Sequence, residues 1–163
     1  MAVLLEIKVA DEVWIATALL HRENPSRNDF TVKEIEARAT REKVVDDQRP
    51  GVYVHANLHC VANREPKPNA YRMLYETRAG YRRLFREGDD YHPARKRGKT
   101  KPKPDEIPPC YADLLQWYEE WSKKGSLHQH PLEKLLALRG SGKHIWADEH
   151  ADEYVSRLRE GWE

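Results

Sequence analysis

His55 and His59 stand four residues apart, with Cys60 beside the second. On a helix that spacing stacks two imidazoles on one face, which is what two ligands to one metal ion need. The intervening residues are Ala56, Asn57 and Leu58. The glutamate that would act as general base in an HExxH site is therefore missing, and no metal is assigned. The same side chains support a second chemistry, hydrogen bonding to base edges. His55, His59 and Asn63 share the hydrogen-bonding side of one helix, and an asparagine amide matches the N6 and N7 edge of adenine. Downstream stand Arg72, Arg78, Arg82, Arg83, Arg95, Lys96 and Arg97, cations of the type that contact nucleic-acid phosphates. Operator DNA is the partner these residues point to.

Other chemistries are poorly served. Gly140-Ser141-Gly142-Lys143 has the look of a phosphate loop, but His144 stands where Ser or Thr should follow the lysine, and the glycine spacing is too short. It reads as a turn. Ser141 has no strand-turn-helix context for a nucleophile. Cys60 and Cys110 lie far apart and form no CxxC pair. No pair of carboxylates stands out from the surface acids. The expectation is a chain without catalysis and without a cofactor.

Charge is distributed unevenly. Residues 1–66 carry nine Lys and Arg against eleven Asp and Glu, residues 67–107 carry twelve against six, and residues 108–163 carry seven against ten. The formal net charge of +1 thus hides a basic middle between two acidic flanks, an asymmetry that suits a polyanion. Apolar runs are broken by charge well short of the ~20 residues of a membrane span. The first residues lack a basic leader and a small-residue cleavage site. The expectation is a cytoplasmic protein with no membrane partner.

The elements that would position these residues are mostly helical at first. Val13, Trp14, Ala16, Leu19 and Leu20 recur at helical spacing between Asp11 and His21. Thr31 with Glu34 forms a capping-box pattern opening a second helix through Ala39. Pro50 starts a third, reaching about Asn63, with Val54, Leu58 and Val61 on its inner face and Val52, Ala56, His59 and Asn63 outside. Residues 70–77 and 81–86 alternate around Arg78-Ala79-Gly80 as a hairpin. Three helices followed by a hairpin predict an α+β fold of winged helix-turn-helix type over residues 1–91. Residues 92–109 read as an extended basic, proline-containing linker. Residues 110–131 hold an amphipathic helix, with Leu114, Trp117, Tyr118 and Trp121 on one stripe, and a loop.

Residues 132–163 form a helical tail. Trp146, Tyr154, Val155, Leu158 and Trp162, interleaved with Arg157 and Arg159, are too many anchors for so short a piece to bury alone. They fit a partner's groove, a second protomer in a homodimer, or the chain's own core. The run Leu138 to Trp146, then Asp148-Glu149, then Tyr154-Val155-Ser156-Arg157-Leu158-Arg159-Glu160-Gly161-Trp162 resembles the C-terminal tail of VapB-type antitoxins, which partner PIN-domain ribonuclease toxins. The preceding ~120 residues look like an uncharacterised prokaryotic family with a winged-helix pattern. The resemblance implies an N-terminal DNA-binding domain that represses its own operon. It implies a tail anchored on the toxin by Trp146, Tyr154, Leu158 and Trp162, with Arg157 or Arg159 blocking the acidic active site. Most such antitoxins carry a smaller N-terminal domain of ribbon-helix-helix or AbrB-like type, from which this chain departs.

Overall fold

The computed structural model describes residues 6–45 and 49–126, together with Ser156 and Arg159. The chain divides into two compact units, 1–126 and 127–163. In the second, Ser156 and Arg159 are helical and exposed.

Helix α1 (Val9–Glu23) is the centre of the first unit: every residue from Ala10 to His21 is buried. A helix enclosed on all sides must neutralise its polar positions locally. Asp11 meets the Lys99 ammonium at 2.7 Å, and Glu12 pairs with Arg49 at 2.8 Å. Strand β1 (Phe30–Thr31) leads directly into α2 (Val32–Glu42). The capping box forms: Glu34 N–H donates to Thr31 Oγ1 at 3.2 Å, and Thr31 N–H donates to the Glu34 carboxylate at 2.8 Å. Val32, Ile35 and Ala39 turn inward. Arg38 is buried with them because Glu23 and Glu42 hold its guanidinium.

Helix α3 begins as an α-turn (Gly51–Val54) and continues as a π-helical stretch (His55–His59), closed by Cys60 N–H donating to His55 O at 2.9 Å. Its faces differ in part from the expectation: Val61 is buried as expected, but Val54 is exposed and Leu58 half-buried. Val52, Ala56 and Cys60 are buried, whereas Tyr53 and Val54 are about two-fifths exposed. Two apolar rows compete on this helix. The row 52-56-60 packs against the core, and Val61, just beyond the π-helical stretch, is buried with it.

Strands β2 (Leu74–Arg78) and β3 (Tyr81–Leu84) form the hairpin, and Gly80 supplies the positive φ (78°) its turn requires. The sheet is antiparallel in the order β1-β3-β2. Phe30, Leu74 and Leu84 pack from it onto Trp14, Ile15 and Ile35. Helix α4 (Ala112–Ser126) completes the core with Leu114 and Tyr118. The Tyr118 ring meets Trp14 edge-on, and its hydroxyl donates to Phe85 O. The architecture is mixed α+β, with four α-helices and one three-stranded sheet among the described residues.

Residues 92–109 do not run out as an extended linker. Arg95, Pro102 and Ile107 are buried, short 3-10 turns stand at Pro93–Arg95 and Pro109–Tyr111, and Lys99 reaches both Asp11 and Glu106. Two of its cations, Arg95 and Lys99, are spent on internal carbonyls and acids, whereas Lys96 and Arg97 stay exposed. Among the described residues, no helix is long and apolar enough to cross a membrane.

Candidate nucleic-acid interface

The outward edge of α3 is formed by Tyr53 and Val54, with Asn57 and Leu58 half-buried behind them. Arg82, from β3, fixes this edge from beneath. Its guanidinium donates to Ala56 O at 3.3 Å, to Asn57 O at 3.2 Å and to Asn57 Oδ1 at 3.2 Å. These bonds serve carbonyls that the π-helical stretch leaves short of partners, and they occupy the amide oxygen of Asn57. The amide nitrogen of Asn57 has no partner among the described residues. An apolar pair beside an NH2 donor can touch a thymine methyl and donate to a base-edge acceptor such as guanine N7 or O6.

The residues singled out in sequence fare differently. His55 and His59 pack edge to face, 4.8 Å between ring centres, on the flank towards Tyr71. His55 Nδ1 lies 2.9 Å from Gly51 O, the geometry of an N–H donating to that carbonyl. Burial lowers the His55 pKa, so the ring is neutral near pH 7. Both rings stand off the Tyr53–Val54 edge. Asn63 is committed on both sides of its amide: Nδ2 donates to Glu76 O at 3.0 Å and Oδ1 accepts from Glu76 N–H at 2.9 Å. It acts as a substitute strand partner and has no amide left for adenine.

Three of the seven expected phosphate contacts are interior. Arg82 is fully buried and pairs with Glu76, which Arg64 also holds. Burial pushes the Glu76 carboxyl up, but the two guanidinia outweigh it and hold it below the usual range. Arg83 is buried against Asp89 through bonds of 2.6 and 2.7 Å and lies over the Tyr75 ring. Arg95, fully buried, donates to six backbone carbonyls, of Leu58, His59, Arg64, Glu65, Asn69 and Tyr71. It closes the C-terminal end of α3 and ties the loop that follows. A guanidinium has five N–H donors in a rigid fork, which suits it to serve several carbonyls at once.

The other four reach solvent. Arg78 is exposed at the hairpin turn, lying over the Tyr81 ring and 3.6 Å from Asp29. Lys96 and Arg97 are exposed and pair with no carboxylate among the described residues. Arg72 is half-buried, stacked on Tyr91 at 4.2 Å. Lys33 and Lys43, exposed on and just after α2, add positive charge that sequence reading passed over. Tyr53, Val54 and Asn57 were also missed. The available signal was the 52-56-60 spacing, which competes with 54-58-61 and is chosen only by packing against the rest of the fold.

The Cys60 thiol is fully buried, and burial pushes its pKa far up, away from a reactive thiolate. Among the described residues no three His, Cys, Asp or Glu side chains converge on a point where a metal ion could sit. Of the tail residues, Arg159 is exposed, while Trp146, Tyr154, Val155, Arg157, Leu158 and Trp162 lie outside the described residues. Comparison of the chain with protein-family models, with curated proteins and with solved structures finds no match.

Proposed function

We propose that the chain is a DNA-binding antitoxin or autoregulator. Its first unit reads duplex DNA in the manner of winged-helix domains, and its tail holds a PIN-domain ribonuclease. Support for the first half comes from the element order α1-β1-α2-α3-β2-β3 with β3 between the other strands, the order of winged helices. The observation that carries it is the outward edge of α3, where Tyr53, Val54 and the amide nitrogen of Asn57 stand together. In this reading α3 enters the major groove, and Arg78 on the hairpin turn contacts phosphate. Support for the second half is the tail's likeness to VapB-type antitoxins. Trp146, Tyr154, Leu158 and Trp162 are the anchors, and Arg157 or Arg159 forks onto the carboxylates of the toxin's metal site.

The test is selection of duplexes from a random pool with the full chain, followed by fluorescence anisotropy against salt. Asn57→Ala should cost about 1–3 kcal/mol and relax preference at one base pair. Arg78→Ala should weaken all duplexes alike and lower the salt slope by about 1. Recovery of no preferred duplex, or unchanged binding by Asn57→Ala and Arg78→Ala, would remove the DNA half. Deleting residues 138–163 should abolish neutralisation of the ribonuclease while leaving DNA binding intact. Neutralisation that survives the deletion would remove the other half.

A further inference from the structure

Away from α3, the first unit holds a cavity of about 360 Å³ between the loop after β3, residues 100–101 and α4. Its size falls at the small end of small-molecule sites, roughly 300–1,000 Å³. Phe85, Tyr91 and Tyr118 give it an aromatic wall. Phe85 and Tyr118 are almost fully buried, while Tyr91 reaches the surface.

The charges lining this cavity sort into committed and uncommitted groups. Lys101 pairs with Glu119, and Asp89 takes both terminal nitrogens of Arg83. The Tyr118 hydroxyl is spent on Phe85 O, and Ser122 Oγ donates to Glu119 O at 3.3 Å. Two groups of opposite sign remain. Arg72 uses only Nε, donating to Gly98 O at 3.2 Å, so both terminal nitrogens of its fork are without a partner among the described residues. Glu87 is exposed and likewise has no partner there.

Arg72 is also held in place before any ligand arrives. Its backbone N–H donates to Lys99 O at 2.9 Å, and its guanidinium lies 4.2 Å from the Tyr91 ring centre and 5.5 Å from that of Phe85. The close approach of the two segments depends on Gly98. A Cβ there would stand 2.0 Å from Ala70 O and 2.9 Å from Arg72 Cγ. A guanidinium fixed by stacking and by Nε, with its two outer donors unused, is preorganised for a carboxylate.

From one free cation, one free carboxylate and an aromatic wall, we infer that this cavity binds a free amino acid with an apolar side chain. The ligand's carboxylate sits on the Arg72 fork and its ammonium on Glu87. Its side chain lies against Phe85, Tyr91 and Tyr118. Neither the DNA-binding reading nor the tail is needed for this site.

Calorimetric titration of the full chain with L-phenylalanine, L-tryptophan, L-leucine and L-methionine tests it. At least one should bind saturably below about 10 mM. For whichever binds, the analogues lacking only the ammonium or only the carboxylate should each be weaker by roughly tenfold or more. Glu87→Gln, at an exposed position that the fold does not use, should produce a similar loss, as should Arg72→Gln. Lys96→Ala should bind as the parent does. The site is overturned if none of the four binds. It is equally overturned if either analogue matches its parent, or if Glu87→Gln binds as tightly as the unaltered chain.

Discussion

Replacing Arg95 by methionine keeps most of the stem volume and removes every donor. Four of the carbonyls it serves lie at 3.0 Å or less: Arg64 O and Tyr71 O at 2.6 Å, His59 O at 2.7 Å and Leu58 O at 3.0 Å. Those of Asn69 and Glu65, at 3.4 Å, are weaker. A buried carbonyl stripped of its partner costs about 1–3 kcal/mol. Taking the lower figure for the four short bonds, Arg95→Met should lose at least ~4 kcal/mol, a large part of the ~5–15 kcal/mol a domain possesses. Arg95→Lys should recover only a fraction, because an ammonium has three donors on one point and cannot span the fork's reach. Urea unfolding of the full chain followed by far-UV circular dichroism gives the number. Lys96→Met and Arg97→Met are the controls: both side chains are exposed, and each should shift stability by no more than about 0.5 kcal/mol. A surface phosphate contact at Arg95 would make the three substitutions alike in stability. A loss below ~1 kcal/mol for Arg95→Met would refute the assignment of those carbonyls to its guanidinium.

Three other perturbations follow from the same geometry. His21 is buried, and its Nε2 accepts from Leu84 N–H at 3.3 Å; burial first, then the Arg86 and Arg83 charges, push its pKa down to about 3. Its unfolded-state pKa is near 6.5, so the unfolded chain takes up the proton first. Stability is therefore complete above about pH 6.5 and falls, by up to ~1.4 kcal/mol per pH unit, as pH drops towards 3. His55, also lowered by burial, shares the upper part of that window. His21→Gln should flatten the slope of unfolding free energy against pH between 6 and 5 by up to one proton. Gly98→Ala forces a methyl into Ala70 O and should lower stability by about 1–3 kcal/mol, read as a fall in melting midpoint. Thr31→Ala removes the acceptor for Glu34 N–H and should cost about 1 kcal/mol by the same measurement.

Much of the local structure is legible in the residue order. Thr31 with Glu34 marks the start of α2, the apolar recurrences mark α1 and α4, and Gly80 marks the hairpin turn. Each of these depends on contacts between residues at most four apart, or on a single residue's backbone freedom. The mixed α+β class follows from their sequence. Strand β1, two residues long, carries no periodic signal of its own and exists only because β3 pairs with it.

What an arginine is for lies beyond that range. By composition, Arg82, Arg83, Arg95, Lys96 and Arg97 are equivalent cations in a basic stretch. In the fold, Arg95 finds carbonyls 24 to 37 residues away, Arg82 finds Ala56 and Asn57, and Arg83 finds Asp89, while Lys96 and Arg97 stay in water. The same holds for α3, where two apolar rows were available and packing buried Val52, Ala56 and Cys60 of one but, of the other, only Val61 fully. Propensity, capping and turn chemistry are decided within a few residues of chain. Desolvating a charge is decided by whether enough acceptors converge on it, and only the packed tertiary structure brings those acceptors together.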